Sequence, residues 1–395
     1  MKPFLYFFCC LLACTASAQN IQTIADGNNR FAFSLYNKLR LGDTGNLFYS
    51  PFSISTALAM TYAGARGETA LQMSKTLNFP TGGNFHREYR NMLQKICSGK
   101  VNSITLDIAN GLWAQKDFTF LDSYFDLVKT NFGSELRNVD FKDPGEREAT
   151  RHEINTWVEK ITREKIKDLL DPTNLDSSTR LVLVNAIYFY GNWALPFAKN
   201  STRPGDFFST GDNTLKVPFM NRTGRYSFFE NTAMKVIELP YKDNAASMLI
   251  FLPNEKEGLD KFENSFNYKF YTEAVTSFQM AEVSLSLPKF KTGKRICLED
   301  ILAKMGMPFA FSPLKADFSG MTGKNDLYIS GVIHQAFINV DEKGTEAAAA
   351  TAVVMAKGAA RIPEIKFFIA DHPFIFLIKD NASGSILFMG RITSP

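Results

Sequence analysis

The chain offers few residues for acid–base or nucleophilic chemistry. Histidine is the usual partner of a nucleophilic serine or cysteine, and the sequence holds four histidines. These are His86, His152, His334 and His372. None lies in an HExxH motif, and no GxSxG, Walker-type or paired CxxC motif is present. His86 and His152 stand among charged residues, as on a solvated helix face, and His372 precedes Pro373 at the start of a strand. We therefore expect no enzymatic activity, no metal and no other cofactor.

The N-terminus predicts export. Lys2 precedes an apolar run that ends near Cys14, and Ala16-Ser-Ala18 supplies small residues for cleavage, so residues 1–18 are interpreted as a signal peptide. The alternative is a lipoprotein anchored to a cell surface at Cys14. The remainder, 19–395, has no Gly/Ser linker, repeat or charge block and reads as one domain. A net charge of +4 with mixed signs does not indicate a nucleic-acid partner, and no apolar run predicts a transmembrane segment.

Two cysteines remain after cleavage before Gln19. Cys97 and Cys297 would either pair or stay as buried thiols, and neither pattern is a disulfide framework. Sequons for glycosylation, relevant if the host is a eukaryote, begin at Asn200, Asn221 and Asn381.

Helical patterns dominate the first half and strand patterns the second. The apolar spacing from Ile154 to Leu170 predicts a helix that stops at Asp171-Pro172. Strands are predicted at 181–190 and 283–287, and a hairpin joins strands at 374–378 and 386–389. Helices followed by mixed sheets indicate the α+β class.

Several ordered stretches resemble the serpin family. They are NLFYSPFSIS from Asn46, INTWVEKITREKIKDLL from Ile154, LVLVNAIYFYGNW from Leu181, VIELPY, LPKF, ADFSGM, HQAFINVDEKGTEAAAATA from His334, ADHPFIFLI and SILFMGRI. The resemblance spans about 29–395. It implies three β-sheets, about nine helices and an exposed reactive-centre loop at about 342–366. In inhibitory members, a protease cleaves this loop, which then inserts as a strand into the main sheet.

The loop begins with a hinge of small residues. By the resemblance, the hinge comprises Gly344, Thr345, Glu346, Ala347, Ala348, Ala349 and Ala350. Side chains alternate between the two faces of a strand. In an inserted strand, Thr345, Ala347 and Ala349 would therefore share one face, and the residues between them would share the other. Small side chains are acceptable both in a solvated loop and in a central strand, and Gly344 gives the backbone freedom to move.

The resemblance, carried over one residue at a time, implies two further groups of functional residues. The "breach", where insertion would start, comprises Trp193, Glu342 and Lys289, with Lys289 as an ion partner of Glu342. The "shutter", where the central strands would part, comprises Ser53, Ser55, Asn185 and His334. A buried hydrogen-bond network is expected there.

The reactive bond is predicted as Lys357–Gly358, with Arg361–Ile362 as the alternative. The family's usual spacing from Glu342 falls at Gly358, and a basic residue suits a protease with a carboxylate in its specificity pocket. The interval to His372 is longer than in typical relatives, so the register is open. Cleavage after Val354 or Met355 by an elastase-like enzyme also stays open.

The expected function is a secreted, monomeric suicide inhibitor of trypsin-like serine proteases. The alternatives are a non-inhibitory carrier or chaperone and an inhibitor of elastase-like or cysteine proteases. A basic stripe could in addition bind a polyanion such as a glycosaminoglycan, although a solvated face explains it as well. Its members are His86, Arg87, Arg90, Lys95 and Lys100.

Overall fold

The computed structural model describes residues 4–82, 84–98, 104–210, 213–345 and 364–395. Within these ranges it is an α+β fold of ten α-helices and two hydrogen-bonded sheets, against about nine helices expected. The helices are α1 (Phe4–Leu39), α2 (Pro51–Gly64), α3 (Gly67–Leu77), α4 (Phe85–Ser98), α5 (Asp122–Phe132), α6 (Pro144–Ile161), α7 (Leu259–Ser265), α8 (Tyr268–Thr276), α9 (Glu299–Met305) and α10 (Ser319–Thr322). None of the helices in these ranges is both long and apolar enough for a membrane span.

The strands confirm those predicted from the sequence and extend them. They are β1 (Leu47–Tyr49), β2 (Ile104–Gln115), β3 (Glu135–Val139), β4 (Leu181–Asn192), β5 (Arg203–Phe208), β6 (Thr214–Glu230), β7 (Met234–Pro240), β8 (Ala246–Pro253), β9 (Gln279–Pro288), β10 (Phe290–Cys297), β11 (Gly331–Asp341), β12 (Gly344–Thr345), β13 (Ile365–Ile369), β14 (Phe374–Asp380) and β15 (Ile386–Ile392). The predicted hairpin is the antiparallel pair β14–β15.

The larger sheet consists of two groups of strands that share β6. Its order is β1-β15-β14-β8-β7-β6-β9-β13, and β5 pairs with the first part of β6. β6 pairs with β9 along most of its length and with β7 only at its end, from Ser227 to Glu230. Counted with the six-stranded sheet, these two groups give the three sheets expected.

The six-stranded sheet separates two hydrophobic cores. Its order is β10-β11-β12-β4-β2-β3, and β4 also pairs directly with β11 in parallel. Because strand side chains alternate between faces, Leu183 and Ile187 enter the main core, whereas Val182 and Val184 pack with α6 on the opposite face. Asn185 shares the face of Leu183, which makes it a polar residue facing the main core.

Helix α2 brings polar residues to that same face. Its N-cap is Ser50, whose Oγ accepts a hydrogen bond of 3.1 Å from the Ser53 N–H, and Pro51 occupies the first turn, where its missing N–H is harmless. All of its residues except Tyr62 are buried. The helix therefore lies inside the molecule, and Ser53 and Ser55 are core hydroxyls that need internal partners.

The helix predicted to continue to Leu170 ends earlier, at Ile161. Arg163 and Glu164 have φ values of 52° and 60°, in the left-handed region, so the chain cannot continue as an α-helix. The apolar residues beyond it are nevertheless buried, because Asn155 exchanges side-chain hydrogen bonds of 2.8 and 2.9 Å with the backbone of Leu170. The helix-like spacing of apolar residues therefore extends beyond α6 into an irregular segment that folds back on this helix.

The two cysteine side chains form no disulfide bond with each other. Cys97 and Cys297 are both exposed, so the expectation of buried thiols was wrong. Both lie near the ends of their elements, α4 and β10, where side chains reach solvent.

Candidate functional site

The two hinge residues that the structure describes already lie inside the six-stranded sheet. β4 and β11 pair directly up to Tyr188 and Phe337 and then separate. β12 lies in the opening, antiparallel to both strands, with Thr345 opposite Gly191 on β4 and Val340 on β11. The side chain of Thr345 is fully buried, and its Oγ1 lies 3.0 Å from Oη of Tyr241.

The backbone at Gly344 passes too close to β4 for any side chain. A Cβ at this position would lie 2.1 Å from the Gly191 carbonyl oxygen and 2.7 Å from Cα of Asn192. Its φ of 156° is also one that L side chains rarely adopt. Glycine is therefore required for β12 to occupy the opening, a steric role added to the mobility expected from the sequence.

The expected breach residues surround the turn that leads into β12. Lys289 Nζ donates a 2.9 Å hydrogen bond to Oε2 of Glu342, and Thr202 Oγ1 donates one of 2.9 Å to Oε1. Trp193 donates through Nε1 to the Asp341 carbonyl, at 3.0 Å, and its ring stacks on Tyr241 with centroids 4.6 Å apart. All three expected residues thus meet at one end of the opening.

Glu342 remains a carboxylate although it is almost buried. Its side chain is 8% exposed, and burial alone would raise its pKa. The hydrogen bonds from Lys289 and Thr202 outweigh this cost, so the pKa of Glu342 lies below its ordinary value. Lys289 is 37% exposed, so solvent partly screens the pair.

Three of the four expected shutter residues form one buried network beneath the opening. The backbone N–H of Ser50 donates to His334 Nε2 at 3.0 Å, so the imidazole proton is on Nδ1, which donates to Oδ1 of Asn185. Asn185 Nδ2 in turn donates to the Ser53 carbonyl, at 3.1 Å, and to Asn110 Oδ1. The network therefore joins β11, β4 and β2 to α2.

His334 is neutral in this network. Burial lowers the pKa of His334 to about 3, because the imidazolium would lose its hydration. With one nitrogen accepting and the other donating, the neutral ring has no unsatisfied group. The arrangement suits a structural hydrogen-bond bridge between two strands, because the ring bonds to the Ser50 backbone N–H and the Asn185 amide and not to a serine hydroxyl.

Ser55 belongs to a neighbouring contact. Its Oγ accepts a 3.1 Å hydrogen bond from Tyr89 Oη, which ties α2 to α4. Asn110, Ser50, Thr202 and Tyr241 were not predicted from the sequence. The signals available were modest: Asn110 is a polar residue within the apolar strand ANGLW, and the others are common residue types in contexts that do not stand out.

The remaining predictions on the loop fall outside the described residues. They are the hinge residues Glu346, Ala347, Ala348, Ala349 and Ala350, both predicted reactive bonds, Lys357–Gly358 and Arg361–Ile362, and the elastase-type positions Val354 and Met355.

The three sequons differ in how accessible their amides are. Asn200 is exposed. Asn221 Nδ2 donates hydrogen bonds of 3.0 Å to the Ser201 and Phe219 carbonyls, and Asn381 Nδ2 donates to Asn244 and Ser247. A glycan would have to replace these contacts, so Asn200 is the best candidate of the three, and glycosylation stays a prediction.

The described residues hold no cluster of three or more His, Cys, Asp or Glu side chains that could bind a metal ion. His372 Nε2 lies 2.7 Å from the Pro253 carbonyl, consistent with a structural role. His152 Nε2 lies 2.9 Å from Glu148 Oε1 on an exposed part of α6. His86 lies against Phe85 in an aromatic group, so only part of the expected basic stripe is a solvated face.

The two-residue strand β12, seated where β4 and β11 separate, and the buried polar network bring residues of the expected hinge, breach and shutter to the same six-stranded sheet. The family model described as serpin (serine protease inhibitor) matches residues 26–395. The chain belongs to the serpin family. As a serpin it is a member of a family of protease inhibitors, and the match covers both the network and the hinge.

Relatives and solved structures agree with this assignment. The leukocyte elastase inhibitor of Xenopus laevis is 39% identical over 382 residues, which cover 95% of this chain and 100% of that protein. A serpin-like protein of Thermococcus kodakarensis is 40% identical over 374 residues, covering 94% and 86%. Among solved structures, Serpin48 of the insect Tenebrio molitor has a TM-score of 0.84 at 33% identity, covering 95% of this serpin and 98% of that chain. Human thyroxine-binding globulin with thyroxine has a TM-score of 0.85 at 29% identity, covering 95% and 99%.

Proposed function

We propose that this serpin is a secreted suicide inhibitor of trypsin-like serine proteases, which it traps by inserting its cleaved loop between β4 and β11. The observation that carries the proposal is the position of β12. Its two residues already pair with both strands and point along the line that further insertion would follow.

The register of β12 defines what insertion would bring together. Continued along both strands, Ala347 would lie between Phe189 and Ile338, and Thr351 between Asn185 and His334. Residues directly opposite on antiparallel strands point to the same side. Thr351 would therefore enter the buried network, where its hydroxyl could replace the hydrogen bond between Asn185 and His334.

The small side chains of the hinge support this path. Thr345 faces the main core, so Ala347 and Ala349 would follow it there, and Ala349 would lie between Ile187 and Ala336. Insertion would add a central strand with hydrogen bonds on both edges and bury these side chains. A large or charged residue on that face would meet the close-packed core instead.

The chemistry of trapping is supplied by the target. The protease serine attacks the Lys357 carbonyl, its Oγ–C bond forms, and the Lys357–Gly358 C–N bond breaks. The protease histidine moves the serine proton to the departing Gly358 amine. Insertion then carries the ester-linked protease away along the sheet, before water can hydrolyse the acyl-enzyme. The serpin itself catalyses nothing.

The test mixes the intact protein with trypsin, followed by denaturing gel electrophoresis and mass spectrometry of the released C-terminal peptide. We expect a gel-stable complex and a peptide that begins at Gly358. A peptide beginning at Ile362 would place the reactive bond at Arg361. Lys357→Ala should abolish complex formation, and Arg361→Ala serves as its matched control. Cleaved serpin with fully active trypsin would contradict a trypsin-like target.

An elastase-like target is the second candidate, favoured by the similarity to leukocyte elastase inhibitors. It predicts a complex with elastase and a peptide that begins at Met355 or Ala356. A carrier role without insertion is the third, since thyroxine-binding globulin shares the fold. It predicts loop cleavage without a complex with any of these proteases.

Export also belongs to the proposal. The signal peptide predicted at residues 1–18 supports secretion, and Cys14 offers the alternative of a lipid anchor. Mass spectrometry of the mature N-terminus decides between them, because a chain beginning at Gln19 excludes the anchor.

A further inference from the structure

A strap, residues 162–180, connects α6 to β4 and crosses the six-stranded sheet where β4 and β11 pair. Its buried apolar side chains share one core with residues of both strands. The strap contributes Ile166, Leu169, Leu170 and Leu175, β4 contributes Val182 and Val184, and β11 contributes Ile333. The strap therefore covers the seam between β4 and β11, along which the proposed insertion would proceed.

The strap is fixed to the β4 side of this seam. It runs directly into β4 at Leu181, and Asn155 of α6 holds the backbone of Leu170 by two hydrogen bonds. Near the start of the strap, Arg163 Nε lies 2.7 Å from Oδ2 of Asp107 on β2, the strand that pairs with the other edge of β4. A movement of β11 away from β4 would therefore leave these contacts intact.

Arg295 holds the strap from the other side of the seam. It lies on β10, opposite Gln335 of β11, and its guanidinium forms an ion pair with Asp171. Its Nη1 also donates hydrogen bonds of 3.3 Å to the Leu169 carbonyl and of 3.4 Å to Oδ1 of Asn174. One side chain of β10 thus binds three residues of the strap, and each of these contacts joins the two sides of the seam.

Insertion of a strand would break the contacts of Arg295. Neighbouring strands lie about 4.8 Å apart, so a strand placed between β4 and β11 would move β10 and β11 away from β4 by roughly that distance. Hydrogen bonds that already measure 3.3 and 3.4 Å cannot lengthen so far and still be bonds. The ion pair with Asp171 would be lost as well, whereas the Arg163–Asp107 pair would persist.

We propose that Arg295 is a positioning residue that slows loop insertion, because it fastens the strap across the seam and must release it before β4 and β11 part. The inference rests on the proposed function, since it concerns the insertion by which that function would work. Without Arg295, fewer contacts are lost on opening, so insertion becomes faster. The same change destabilises the closed sheet and not the sheet that already holds an inserted strand.

The test measures insertion without a protease. A fluorescein-labelled peptide with the sequence of residues 346–357 is incubated with the intact full chain, and its uptake is followed by native gel electrophoresis. We expect Arg295→Met to take up the peptide about threefold to fivefold faster than the unmodified protein, as for the loss of a partly exposed ion pair. Arg295→Lys keeps a positive charge beside Asp171, so its rate should lie between the two.

Arg163→Met is the matched control, because it removes an ion pair of the strap that does not cross the seam. Its rate of uptake should equal that of the unmodified protein. Thermal unfolding gives a second readout. Arg295→Met should lower the midpoint of the intact form and leave that of the peptide-filled form unchanged, whereas Arg163→Met should lower both alike. If Arg295→Met does not fold, Asp171→Asn removes the same ion pair from the strap and decides.

The outcomes separate this inference from the proposed function. Equal rates of uptake by Arg295→Met and the unmodified protein would overturn the role of Arg295 and leave insertion standing. Equal acceleration by Arg163→Met would also overturn it, because loosening of the whole strap would then explain the rate. Absence of uptake by every variant would contradict insertion between β4 and β11 and overturn both.

Discussion

Thr345 Oγ1 lies 3.0 Å from Oη of Tyr241, which places the second residue of the hinge in the buried interior. Tyr241 is itself fully buried and stacks on Trp193. The first two residues of the hinge are therefore already paired within the six-stranded sheet, and any further insertion would begin after Thr345.

A charged residue at Thr345 should turn the inhibitor into a substrate. In Thr345→Arg, the guanidinium would be buried beside Tyr241 without a counter-ion, so insertion slows and hydrolysis of the acyl-enzyme competes. We expect the inhibition stoichiometry against the target protease to rise several-fold.

Thr345→Val is the matched control, because it keeps the shape and removes only the hydroxyl. Its stoichiometry should stay near that of the unmodified protein. Equal stoichiometries for Thr345→Arg and the unmodified protein would count against insertion past this point.

Gly344→Ala should expel β12 from the opening. Its Cβ would meet backbone atoms of Gly191 and Asn192, which cannot move without shifting β4. We expect a loss of about 1–3 kcal/mol in the free energy of unfolding. Hydrogen exchange should also show faster exchange at the end of β4. Gly133→Ala offers a control, because it shares a positive φ but meets no atom within 4 Å. Similar exchange at β4 in both variants would refute the steric role.

The Lys289–Glu342 pair should couple by only about 1 kcal/mol. A double-mutant cycle of Lys289→Met and Glu342→Gln, followed by urea unfolding, measures this coupling. Its size is limited because Lys289 is 37% exposed. The exposed pair Lys261–Glu255, with side chains 82% and 72% exposed, should give coupling near zero in a parallel cycle. Equal coupling energies in the two cycles would show that the Lys289–Glu342 ion pair does not stabilise the breach.

Stability should fall as pH drops below about 6.5. The pKa of His334 is about 3 in the folded protein, against 6.5 for an unperturbed histidine, so between these values the unfolded state binds the extra proton. The contribution of neutral His334 to the free energy of unfolding is therefore at its maximum above pH 6.5. It decreases by about 1.4 kcal/mol for each pH unit between pH 6.5 and pH 3.

His86 acts in the same direction, because burial lowers its pKa to about 4. Urea unfolding of His334→Gln and His86→Gln between pH 4 and 7 separates the two contributions. Each substitution should reduce the pH slope near pH 5. An unchanged slope in His334→Gln would mean that its ring is not buried in the neutral form.

The sequence was informative wherever a residue type is tied to its surroundings. Asn185 is the one polar residue in LVLVNAIYFY, and a polar group in a central strand requires an internal partner, which the structure supplies. The end of α6 was missed because residues 162–170 keep a helical apolar spacing while Arg163 and Glu164 adopt left-handed conformations. Asn110 was not predicted because a single polar residue is common in a half-buried strand and forms no pattern that marks a site. That β12 is already seated depends on Gly344 meeting β4, a contact between distant parts of the chain that spacing cannot reveal.

The most direct test of loop insertion is the thermal unfolding midpoint of the loop-cleaved protein compared with that of the intact protein. In the proposed mechanism, cleavage of the loop would free the residues after Thr345 to continue between β4 and β11, which would add a central strand and bury its side chains. If the loop inserts, the midpoint of the cleaved protein lies well above that of the intact protein. A cleaved form that unfolds at or below the intact midpoint would show that the loop stays outside the sheet, and would contradict the central claim.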